Sequence, residues 1–182
     1  MTPAITDTIS WWAPFEALDV GQEFVTRGRT VTEADVVGFA QLTGDWHPQH
    51  ADAQWAQGSP FGERIAHGML VVSLAAGLVP FDPGRVVALR QVSQATFKRP
   101  VRFGDTVHVE GRIAELGPAS DDAGIVTFAW NVVNQDEKIV CRARVDVLWR
   151  RDGAVDPDDL LNDNPEAPGV ENDGRGFVPI PL

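Results

Sequence analysis

The sequence predicts an α+β fold in which a long antiparallel sheet wraps around a central helix. Two observations carry that prediction. The segment 66–79 is apolar on nearly every side, through Met69, Leu70, Val71, Val72, Leu74 and Leu78, and a helix of that kind belongs inside a core rather than on its surface. From 85 to 150 the texture changes to period two, rich in Val, Ile, Thr and Phe, as expected of strands with one covered face. One buried helix and one large sheet make an α+β layering.

The elements follow in order. Mixed apolar and polar residues at 23–31 suggest a first strand. Thr32 then reads as a helix N-cap with Asp35 three positions on, the spacing of a capping box. Val36, Val37, Phe39, Ala40 and Leu42 give that helix its apolar face, and Gly44 is placed to end it in a left-handed cap. The stretch through Pro48 reads as a loop, followed by a short helix at about 51–57. After the apolar helix, Pro80 and Pro83-Gly84 break the chain. In the sheet region, Cys141, Ala143, Val145 and Val147 alternate with Arg142, Arg144 and Asp146. Val107, Val109, Gly111 and Ile113 alternate with His108, Glu110 and Arg112. Turn residues at 118–124 and 135–138 imply three or four long strands joined by hairpins.

The chain has 182 residues, 43% apolar and 23% charged, with no internal repeat, which suits a single domain over 1–151. The net charge of −11 is unevenly placed: residues 152–182 hold eight acidic residues against Arg175, so 1–151 carry only −4. That Pro-, Asp- and Gly-rich segment reads as an extended or disordered tail, although its end, Phe177-Val178-Pro179-Ile180-Pro181-Leu182, is apolar enough to dock on the body or a partner. No basic stripe with stacking aromatics indicates nucleic-acid binding. The first residues lack a secretory signal pattern, and no apolar run is long enough for a membrane span. The single cysteine, Cys141, gives no disulfide framework and no zinc pattern; it falls on an apolar face, as an inert buried thiol would. A cytoplasmic protein is the expectation.

Chemistry concentrates at Gly44-Asp45-Trp46-His47-Pro48-Gln49-His50. A carboxylate and an imidazole converging on one water can split its proton transfers between them, and histidine titrates near working pH. Either residue alone is equally consistent with turn chemistry or polar surface. Gly68 falls in the first turn of the central helix, where backbone N–H groups lack intrahelical acceptors. There it either admits a ligand oxygen to those donors or simply permits close helix–sheet packing.

The run from Leu42 to His50, taken with Ala66-His67-Gly68-Met69-Leu70, resembles the MaoC-like dehydratase or hydratase 2 family, (R)-specific 2-enoyl-CoA hydratases and relatives with a hot-dog fold. Phe97-Lys98-Arg99-Pro100-Val101 and Gly104-Asp105-Thr106-Val107 are similar to the family's strand and turn after the central helix, so the resemblance spans about residues 15–150. It implies that Asp45 and His50 are the pair that holds and activates water, and that the Gly68 N–H contacts the thioester oxygen. The implied reaction is hydration of a trans-2-enoyl thioester to an (R)-3-hydroxyacyl thioester, or the reverse dehydration. The carrier is coenzyme A or acyl carrier protein, with no bound cofactor and no metal. A homodimer or higher homo-oligomer, with the site near the subunit interface, is implied as well. A hot-dog acyl thioesterase and a non-catalytic acyl-CoA-binding partner subunit are the alternatives.

Two positions depart from the family pattern: His47 stands where asparagine is common, and Ala76 aligns with a frequent serine. His47 is either a third titrating group or a filler of the asparagine's space, the latter being preferred. Trp46, His47, His67 and Met69 flank the proposed site as substrate-binding candidates, although packing is the plainer role for Trp46 and Trp55. Lys98, Arg99 and Arg102 are candidates for coenzyme A phosphates, or else they mark a solvated strand end. His108 alternates outward and reads as surface.

Overall fold

The computed structural model describes residues 8–153; the readings made for the tail beyond them fall outside the described residues. The order is a 3₁₀ turn (Phe15–Ala17), β1 (Glu23–Val25), β2 (Arg29–Thr30), α1 (Glu33–Thr43), α2 (Pro48–Ala51), α3 (Ala53–Gln57), α4 (Gly68–Leu78), β3 (Val86–Phe97), β4 (Thr106–Pro118), β5 (Ala123–Asn134) and β6 (Ile139–Arg150). The strands form one antiparallel sheet in the order β1-β4-β5-β6-β3, with β2 also on β4.

The period-two reading of β4 and β6 is correct in detail. Val107, Val109 and Ile113 on one strand, and Cys141, Val145 and Val147 on the other, are fully buried. They form one core with Leu70, Val71, Val72, Leu74 and Ala75 of α4. Burying this shared face stabilises the fold by about 25 cal/mol per Å² of apolar surface removed from water. The cap of α1 is also as expected. Thr32 Oγ1 accepts the Asp35 N–H at 3.2 Å, the Asp35 carboxylate accepts the Thr32 N–H at 2.9 Å, and Gly44 ends the helix at φ 75°.

Four expectations need correction. The strand at 23–31 is two short strands, because Thr26 substitutes its side chain for regular pairing: its N–H donates to the Val109 carbonyl, and its Oγ1 accepts the Val109 N–H, both at 2.9 Å. The short helix begins earlier, at Pro48, and is cut in two at Asp52, whose carboxylate caps the Gln54 and Trp55 N–H groups at 2.9 Å. The helix α4 is covered on one side only, with Met69, Ser73 and Gly77 forming an exposed stripe at i, i+4, i+8. Finally, β3 does not form a hairpin with β4: the chain crosses over, and β3 pairs with β6 at the sheet edge.

Candidate active site

Asp45 and His50 are brought together by the end of one helix and the start of the next. The left-handed Gly44 turns the chain out of α1, and the Asp45 N–H then donates to Thr43 Oγ1 at 3.3 Å. The Asp45 carboxylate in turn accepts the His47 N–H at 3.2 Å. Pro48 stands at the first position of α2, where its missing N–H costs nothing, and one turn later the His50 ring faces the strip leading into α4. His50 Nδ1 lies 2.7 Å from the Ile65 carbonyl oxygen. A carbonyl only accepts, so Nδ1 carries the proton and Nε2 keeps its lone pair.

His67, the residue before α4, lies beneath this pair. It is 2% exposed; its Nε2 is 3.0 Å from the Asp45 carbonyl oxygen, and its ring stacks on His50 at 3.8 Å between centroids and 29°. Ligand atoms of Asp45, His50 and His67 all lie within 4.8 Å of one another. That compactness suits a cation on distance alone. However, His67 Nε2 must carry a proton to donate to the Asp45 carbonyl, so the arrangement as it stands suits a water better. Burial is the main influence on the His50 pKa and lowers it below the ordinary value of 6.5, as do nearby His67 and His47. The Ile65 carbonyl and the Asp45 carboxylate oppose that shift. His50 is therefore poised neutral.

All three residues line a cavity of about 530 Å³ whose apolar walls include Phe39, Val71 and Phe97. Gly68 lines it too, beside the unpaired N–H groups of the first turn of α4. A Cβ at Gly68 would lie 2.7–2.9 Å from the Phe97 ring, so this glycine permits close packing of α4 against the end of β3.

Met69, Lys98 and Arg99 also line the cavity, but Trp46, His47, Trp55 and Ala76 do not. The His47 ring instead accepts the Gln49 N–H through Nδ1 at 3.2 Å, capping α2, and packs edge-on against Trp55. It thus does the capping work an asparagine would do. Trp46 and Trp55 are not packed away, each being about half exposed (49% and 47%). Arg102 is tied to Glu63 at 2.6 Å. His108 is not plain surface either: its Nε2 is covered and lies 3.5 Å from Glu110. Cys141 is buried, which raises its pKa as expected of an inert thiol.

His67, expected from the sequence to contact substrate, is instead buried against both Asp45 and His50. Its only sequence signal was its place before Gly68, since the contacts it makes join residues 17 and 22 positions apart.

Among the described residues no helix is long and apolar enough to cross a membrane. The MaoC like domain family matches residues 16–127. The 3-hydroxybutyryl-CoA dehydratase of Methylorubrum extorquens is 38% identical over 57% of this chain and 66% of its own length, so the match stops just short of two thirds of that relative. The (R)-specific enoyl-CoA hydratase of Aeromonas caviae is 34% identical over 66% of this chain and 87% of its own. The crystal structure of a MaoC-like dehydratase from Rhodospirillum rubrum superposes with a TM-score of 0.68 at 27% identity, covering 76% of this chain and 97% of that one. The sheet wrapped on α4 is the hot-dog fold, and this chain belongs to the MaoC-like dehydratase family of hot-dog enzymes.

Proposed function

We propose that the protein adds water to a trans-2-enoyl thioester to give an (R)-3-hydroxyacyl thioester, or runs the reverse dehydration. The observation that carries this reading is the state of His50. Its Nδ1–H is committed to the Ile65 carbonyl, and its Nε2 lone pair shares one cavity with the Asp45 carboxylate. A water held between them donates one hydrogen bond to each. His50 Nε2 takes a proton as the water oxygen bonds to C3, and then returns that proton to C2, so both catalytic groups end as they began. Charge that builds on the thioester oxygen is met by the Gly68 N–H in the first turn of α4.

The reaction in this reading needs no metal and no redox cofactor. Lys98 and Arg99, at the cavity wall, suit the phosphates of a coenzyme A or acyl-carrier thioester; Arg99 is steadied by a 2.6 Å bond from Nη1 to the Ile139 carbonyl. Met69 and Phe97 offer apolar surface to the acyl chain. The working unit is a homodimer closed along β3, and the cytoplasm is its compartment.

Loss of enoyl absorbance from crotonyl-CoA tests the reading. Asp45→Asn and His50→Ala each lower the rate by about 10²–10⁴, and full activity in both variants would overturn the site. Thiol release without enoyl loss would instead identify a thioesterase.

A further inference from the structure

The strip 65–68 touches every part of the candidate site. Ile65 accepts the His50 Nδ1–H, and its own N–H donates to the Gln49 carbonyl at 3.2 Å. The Ala66 N–H ties the strip to the Val101 carbonyl at 2.8 Å. His67 reaches the Asp45 carbonyl, and Gly68 opens α4. Within this strip His67 alone contacts both reactive residues, through a hydrogen bond to one and a stacked ring against the other.

Packing alone does not account for a histidine here. The residue is 2% exposed, it rests against Phe39 at 5.1 Å between centroids, and its Nδ1 is buried without a partner. A buried polar atom left unpaired destabilises a fold, so a residue needed only for bulk would be served better by phenylalanine. Histidine retains something phenylalanine lacks, an Nε2–H aimed at the Asp45 backbone.

We propose that His67 is a positioning residue: as the Nε2–H tautomer it fixes the Asp45 loop and, by stacking, the plane of the His50 ring, so that carboxylate and imidazole converge on one water. This rests on the hydration reading above. Asp45 needs such a brace because its side chain is half exposed and its loop is otherwise held by bonds to near neighbours in the chain, within 40–51. Small displacements of reacting groups are costly in rate, whereas the substrate walls formed by Phe97, Lys98 and Val101 do not depend on the His67 hydrogen bond.

The test compares wild type, His67→Phe and His67→Gln with crotonyl-CoA, beside ring-¹⁵N NMR of the wild-type histidines. Phenylalanine keeps the stacked ring and removes both nitrogens; glutamine keeps an N–H donor. The expected result is a kcat lowered about 10–100-fold in His67→Phe with KM changed less than about threefold. His67→Gln is expected to lie between, and the thermal midpoint of His67→Phe to be no lower than that of wild type. A kcat within about twofold of wild type in His67→Phe, or equal losses in both variants, would overturn the proposal. NMR is expected to show His67 protonated on Nε2 and His50 on Nδ1, and His67 protonated on Nδ1 would overturn it whether or not a variant folds. Failure of the hydration reading has a different signature: the wild type itself leaves the enoyl absorbance unchanged, while the NMR still decides the His67 bond.

Discussion

His50 and Asp45 show how a solvent-facing loop acquires a defined protonation pattern. The hydrogen bond to Ile65 selects the tautomer, and partial burial then disfavours the charged ring more than the Ile65 carbonyl and Asp45 favour it. The sign follows directly. With a folded pKa below 6.5, His50 stays neutral, and able to accept a proton, to a lower pH than a free histidine. Below 6.5 the unfolded chain binds the proton more readily, so the stability linked to this residue is full above 6.5 and is lost as pH falls toward the folded value. The acid limb of kcat/KM for enoyl hydration is therefore expected below 6.5. Asp45→Asn removes a carboxylate that raises the pKa and is expected to move the limb in its residual activity lower still. A wild-type limb at or above 6.5 would mean that His50 is not the titrating base. The spacing of Asp45 and His50 alone leaves turn chemistry open; the family resemblance singles the pair out, and both residues line one cavity. The place of the neighbouring His67 ring was not legible in the sequence, because stacking across 17 residues follows from where 65–67 runs rather than from any local pattern.

Local chemistry made some elements easy to read, and distant partners hid others. Thr32, Asp35 and Gly44 act within their own helix, so α1 was legible at both ends, and strict alternation identified the covered faces of β4 and β6. Thr26 broke the first strand by bonding to Val109, 83 residues away, which no local pattern records. No element is legible in the sequence over 8–22, yet Trp11 proves central. Its ring meets Phe24, Phe81, Phe128 and Trp149 at centroid distances of 5.1, 5.7, 6.2 and 6.2 Å, and Trp149 Nε1–H donates to the Ala13 carbonyl at 2.9 Å to hold the segment down. Aromatic side chains packed in this way carry much of a core's burial. Trp11→Ala is expected to lower unfolding stability by about 3–5 kcal/mol, as for other large-to-small core changes. Urea titration monitored by fluorescence measures this, and a loss below about 1 kcal/mol would show that the 8–22 segment is not part of the cooperative core.

At the scale of the whole molecule, the two edges of the sheet are treated differently. β1 and β2 are short and bonded to β4, whereas β3 runs 12 residues with one edge unpaired among the described residues. Val87, Leu89, Val92 and Phe97 on it are exposed, as is Met69 of the neighbouring α4 stripe. A long apolar edge strand invites pairing with another chain, and a second copy is the occupant that every molecule in solution has available. The end of β3 and the residues after it, Phe97 to Val101, form one wall of the candidate-site cavity, so pairing there is expected to order that wall. Sedimentation velocity at micromolar concentration is expected to show a dimer, with about 1,200–2,000 Å² buried in total. The variant Val87→Glu/Leu89→Glu places like charges on surface that is already exposed in the single chain, so its fold is expected to survive while the species becomes a monomer. Because the monomer leaves Phe97 and Lys98 without support from a second chain, enoyl hydration per folded chain is expected to fall with the dimer fraction. A wild type that sediments as a monomer would sink the β3 pairing. A double variant that remains dimeric would move the interface to another face, and full activity in a monomeric variant would show that each chain completes its own site.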